Sequence, residues 1–133
     1  MAGLTHRTPT LPPTGEVVRR DARRVAELHI GRRSVVSFAG ELDLATVAEL
    51  ERALTEAIER GSREVWADLT LVTFMDSTGV RCLLDARQAL AELCRDLVVI
   101  CGDTSAVRHM LTLTGAGSAL ELHASRTAAH RAR

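Results

Sequence analysis

The stretch from Arg63 to Cys94 constrains the fold most, because its apolar spacing changes period partway along. From Arg63 to Thr70, Val65, Ala67 and Leu69 alternate with Trp66 and Asp68, the period-two pattern of a strand. From Gly79 to Cys94 the pattern is helical: Leu83, Ala86, Leu90 and Cys94 share one face, Arg81, Asp85, Gln88 and Glu92 the other. Between them runs Asp68-Leu-Thr-Leu-Val-Thr-Phe-Met-Asp76-Ser77-Thr78-Gly79-Val80, read as a strand end, a short loop and a helix start. Asp, Ser and Thr suit such a start because their oxygens accept from first-turn N–H groups that lack helical partners. Taken alone, Asp76-Ser77-Thr78-Gly79 is an ordinary helix cap.

The rest of the chain repeats this strand-to-helix alternation. Val25–Ile30 and Ser34–Ala39 flank Gly31-Arg32-Arg33 as a hairpin, with His29 on the solvent face. Gly40-Glu41-Leu42-Asp43 then leads into a helix with Asp43 as its N-cap. That helix has Val47, Leu50, Leu54, Ala57 and Ile58 on one face, and Gly61 ends it. Leu97-Val98-Val99-Ile100 is a continuous apolar strand of the kind covered on both faces. Asp103 or Thr104 caps a third helix that holds Val107, Met110 and Leu111 and stops near Gly115, and Ala119–His123 is a last short strand. The predicted order is β-β-α-β-α-β-α-β: a single α/β domain with parallel pairs made through crossovers, one antiparallel hairpin at the start, and helices on one side or both. The expected boundaries are a disordered leader over 1–16, the domain over 17–123 and a flexible, frayed tail over 124–133.

Composition narrows the function classes. At 133 residues the chain makes one domain with a real core. Trp66, Phe38 and Phe74 are its only aromatics, too few for a base-stacking surface, and the formal net charge is zero. Nucleic acid and anionic membranes are therefore not expected partners. Cys82, Cys94 and Cys101 form no CxxC and have no His at ligand spacing, so free thiols are expected, with no metal and no cofactor. The longest apolar run, Leu97–Cys101, is too short to span a bilayer, and no signal peptide is recognisable; a cytoplasmic protein is expected.

Enzyme readings find no catalytic residues. Ser77 lies on a strand-to-helix turn, but a nucleophile elbow needs glycine two residues on either side, and only Gly79 is present. No second acidic hydroxyl-glycine motif exists to form a carboxylate dyad, and no phosphate-cradling glycine loop is present. The remaining reading makes Ser77 a substrate. A phosphoryl group adds about −1.5 to −2 charges. A helix start tolerates an anion, so the fold can survive while the surface chemistry reverses.

Gly40-Glu41-Leu42-Asp43 and Asp68-Leu-Thr-x-Val-x-Phe-Met-Asp76-Ser77-Thr78-Gly79-Val80, with the strand and short helix that follow, resemble the STAS domain over about Val25 to His123. Within that family the chain is most similar to stand-alone bacterial anti-sigma factor antagonists, and the resemblance implies a STAS-type fold with a mixed β-sheet covered by helices. The resemblance implies that Ser77 is the phosphoacceptor of an anti-sigma factor that is itself a serine kinase. The unphosphorylated form would bind that partner and free a sigma factor, and a serine phosphatase would restore binding. It maps Asp43 and Asp76 near the acceptor and the partner surface; Glu41, Thr78, Gly79, Val80 and Arg81 complete the expected partner-binding or switch region, and a monomer or weak dimer is expected. Arg81 departs from the small residue common there. The alternative is a non-phosphorylated STAS module, a structural subunit or ligand sensor in a signalling or transport complex.

Overall fold

The computed structural model describes residues 24–133 in full and the backbone of 15–19. The leader over 1–14 lies outside the described residues. Gly15 and Glu16, expected in the leader, instead begin strand β1 (Gly15–Arg19), which pairs antiparallel with β2 (Val25–Ile30). β2 pairs antiparallel with β3 (Arg33–Leu42) across a turn in which Gly31 takes φ +59°. From there every step is a crossover to the next strand, a connection for which the right hand is the rule: α1 (Val47–Glu59), β4 (Glu64–Met75), α2 (Ser77–Glu92), β5 (Asp96–Ile100), α3 (Ala106–Thr114) and β6 (Glu121–His123). The six strands lie in sequence order, with β3 to β6 parallel. Crossovers of one hand that always advance in one direction put all three of these helices on the same face. Accordingly Leu50, Leu54, Leu83, Leu90, Val107 and Leu111 pack with Val36, Phe38, Val65, Leu69 and Val99 in one core.

β4 is longer than its period-two pattern implies. Residues 71–75, expected as a loop, continue the strand through two bulges. Ser37 pairs with Asp68 but Ala39 with Leu71; Gly40 pairs with Val72 but Glu41 with Phe74. Each irregularity gives β4 one extra residue, so its core positions run Leu69, Val72, Met75 and the alternation disappears.

The opposite face is small. Val35, Trp66, Val98 and Ile100 are covered by Ala129 of a fourth helix, α4 (Arg126–Ala132). The frayed tail expected from Ala124 is therefore a packed helix, capped by Ser125 and pinned at both ends. At the start, Arg126 Nε donates to Asp68 Oδ2 at 2.5 Å. At the end, Arg133 bonds Glu121 at 2.5 Å and Asp96 at 2.7 Å. Beside it Arg33 stacks 4.1 Å above the Trp66 ring, whose Nε1 donates to Glu64.

Other local expectations also shift. α1 begins after Thr46 rather than at Asp43, and α3 is capped by Ser105, whose Oγ accepts from Arg108 N, rather than by Asp103 or Thr104. Cys94 is exposed and lies past the end of α2 at φ +57°, not on its buried face. His29 faces inward: its Nδ1 bonds Ser34 Oγ at 2.7 Å, and Nε2 lies 3.4 Å from the buried Glu27 carboxylate.

Two substitutions test this architecture. Arg126→Ala leaves the buried Asp68 carboxylate without its cation and should destabilise the chain by about 1–3 kcal/mol in urea unfolding, with α4 amides exchanging fastest. Unchanged stability would mean that α4 is not held by this pair. Cys94→Gly removes a side chain from a left-handed position and should raise stability by about 0.5–1 kcal/mol in the same assay.

Candidate functional site

Parallel pairing of β3 with β4 brings the two sequence motifs together. The ladder runs to Leu42 opposite Met75, and the Asp76 N–H then donates to the Leu42 carbonyl at 3.2 Å. Gly40-Glu41-Leu42-Asp43 and Asp76-Ser77-Thr78-Gly79 therefore leave the sheet side by side at the carboxyl ends of the strands, where ligands of parallel sheets gather.

Each motif is fixed by its own side chains. Asp43 Oδ1 accepts from Ala45 N at 3.0 Å, and Thr46 Oγ1 donates to the Glu41 carbonyl at 2.7 Å, closing a tight turn before α1. Asp76 is the N-cap of α2. Its Oδ1 accepts from the Thr78 amide at 2.9 Å and the Thr78 hydroxyl at 2.5 Å, while its carbonyl accepts from Gly79 N and Val80 N. The hydrogen bond from the Thr78 hydroxyl, with backbone amides assisting, holds the Asp76 carboxyl below the usual range. Asp76 is thus an anion at neutral pH, and Thr78 is committed to holding it.

Gly79 faces the core. A Cβ there would stand 2.5 Å from Met75 Cγ and 3.1 Å from Leu42 Cδ2, both buried. Glycine lets the first turn of α2 seat directly on the β3–β4 end. Val80 is buried as well, so Gly79 and Val80 position the corner and expose little of themselves. Ser77 is the first residue of α2 and is exposed; among the described residues its hydroxyl makes no hydrogen bond. Glu41 is exposed, and Arg81, one turn on from Ser77, has a side chain 80% accessible.

The structure adds residues that the sequence reading passed over. Ser77, Thr78, Val80 and Arg81 line an open groove of about 440 Å³ between α1 and α2, with Val47 and Glu51 on the α1 side and Asp85 farther along α2. Cys82 lies at its floor; burial pushes this thiol up to about 12, with Glu51 and Asp85 adding to the effect, so it stays protonated. Leu44, Leu71 and Phe74 are exposed apolar side chains on the segments that enter and leave the corner. Leu71 and Phe74 turn outward because of the β4 bulges, which no period count reveals. No group of three or more His, Cys, Asp or Glu side chains among the described residues is arranged to hold a metal, and no described helix is long and apolar enough to cross a membrane.

Gly79→Ala should cost about 1–3 kcal/mol in urea unfolding, because Met75 or the helix start must move. A Gly79→Ala variant as stable as wild type would show that the seating of α2 is loose.

Known proteins resemble this chain in sequence and fold. An anti-sigma-B factor antagonist of Staphylococcus aureus is 34% identical over 80 residues, covering 60% of this chain and 73% of that protein. The crystal structure of an anti-sigma factor antagonist from Mycobacterium paratuberculosis superposes with a TM-score of 0.70 at 25% identity, over 92% of this chain and 97% of that one. The Bacillus cell fate determinant SpoIIAA in its phosphorylated form shares the fold, with a TM-score of 0.62 at 22% identity over 82% of this chain and 99% of that one. The sequence pattern of the STAS domain matches residues 24–129, and the chain belongs to the STAS domain family.

Proposed function

We propose that this protein is an anti-sigma factor antagonist that works by binding rather than by catalysis, switched at Ser77. Unphosphorylated, it engages an anti-sigma factor and releases a sigma factor. The observation that carries the reading is the exposed Ser77 hydroxyl, held at the first residue of α2 beside the Glu41–Asp43 turn, in a chain that is 34% identical over 80 residues to one named antagonist and superposes on the structure of another. A hydrolytic role lacks support from the same geometry, since nothing among the described residues hydrogen-bonds to Ser77 as a base would.

The partner supplies the kinase chemistry. The Ser77 Oγ attacks the γ-phosphorus of ATP, the bond to the β–γ bridging oxygen breaks, ADP leaves, and the hydroxyl proton passes to a base on the kinase. A serine phosphatase reverses the state by hydrolysis, releasing inorganic phosphate. The added charge of about −1.5 to −2 lies beside Asp76, already an anion, and near Glu41 and Asp43. A partner face shaped for a neutral hydroxyl and the exposed Leu44 then meets a hydrated dianion, and desolvating it opposes binding.

Ser77→Ala should bind the cognate anti-sigma kinase as tightly as the unphosphorylated wild type. Ser77→Asp should bind at least about tenfold more weakly, near 1.4 kcal/mol, by isothermal titration calorimetry. Equal affinity for both variants would reject the switch.

A further inference from the structure

Resting on that reading, we propose that Arg81 is the cation that receives the phosphoryl group on Ser77. Most donors of the helix start are already engaged. The Thr78 amide and hydroxyl are taken by the Asp76 carboxylate, and the amides of Gly79 and Val80 by the Asp76 carbonyl. The charged groups around the groove are Asp76 at the cap, Glu51 from α1, and Arg81 and Asp85 from α2. Arg81 is the only cation among the described residues that line it.

Spacing and pairing both favour this role. Ser77 and Arg81 stand four residues apart on α2 and line the same groove. Residues so placed are neighbours on a helix surface, and an anion N-terminal to its cation is the better orientation. Arg81 now pairs with Asp85 in the reverse orientation, at a loose 3.8 Å and with both side chains largely in water. A phosphate dianion with three acceptor oxygens competes well for that guanidinium. The pair folds the new charge back onto α2, occupies the upper end of the groove and leaves the Asp85 carboxylate unpaired. Phosphorylation would thus alter the groove between α1 and α2 as well as the Ser77 corner.

The test installs phosphoserine at position 77 during translation, so that no kinase is required, and follows its ³¹P resonance against pH. An unpaired phosphoserine loses its second proton near pH 6. In the otherwise wild-type chain the midpoint should lie about 0.2–0.4 pH unit below that of Arg81→Gln. Asp85→Asn, which frees Arg81, should keep the low midpoint, and the difference should shrink in about 1 M salt. Coincident midpoints for wild type and Arg81→Gln would overturn the inference. A chain that no kinase phosphorylates would still show the pairing, so failure of the switch and failure of this inference appear in different experiments.

Discussion

Everything at the functional corner depends on the parallel pairing of β3 with β4 out to Leu42 and Met75. That ladder carries two short motifs, which lie more than thirty residues apart in the sequence, to the same end of the sheet. The Asp76 N–H bonded to the Leu42 carbonyl closes it, and Gly79 lets α2 sit directly on top. The corner is therefore assembled from buried backbone and buried Met75, while its exposed parts are few: Ser77, Glu41, Leu44 and Arg81. Rigidity below and exposure above suit a surface whose chemistry changes without the fold changing.

The cap and the proposed phosphoacceptor use neighbouring but separate hydroxyls. Asp76 holds the first turn of α2 through Thr78, which leaves Ser77 as the hydroxyl at this corner not used for structure. The same economy creates an electrostatic problem, because a phosphate added at Ser77 meets an adjacent carboxylate and amides already taken. Arg81, one turn along the same helix, supplies a counter-charge from within the chain. The acidic character of Glu51 and Asp85 confines that counter-charge to one side chain.

Much of this was legible in the sequence, and the exceptions have physical reasons. The helical faces of α1, α2 and α3, the glycines that end two of them and the parallel order follow from spacing alone, because packing one face of each element is a local demand. The β4 bulges were not, since an inserted residue erases the period that would reveal it. α4 was hidden for a different reason: it has no apolar stripe, and its hold comes from Arg126 reaching Asp68, 58 residues away in sequence. Asp43 looked like a cap and serves a turn three residues before the true one, Thr46, whose hydroxyl is spent on the Glu41 carbonyl. His29 looked solvent-facing because a polar residue in a strand usually is; here Ser34 bonds its Nδ1 and the buried Glu27 carboxylate stands beside its Nε2 within the fold. At the site, Asp76, Ser77, Thr78 and Gly79 were readable as a unit, whereas Glu51 belongs to the groove only through the packing of α1 on α2.

The central claim is that phosphorylation rewrites one surface of an unchanged domain. Amide ¹H–¹⁵N spectra of the chain with serine and with phosphoserine at position 77 test it directly. The account predicts shifts confined to about residues 41–51 and 76–85, with the amides of β5, β6, α3 and α4 unmoved. Perturbations spread through those distant elements, or loss of dispersion, would show that the phosphate acts by remodelling the fold, and would contradict it.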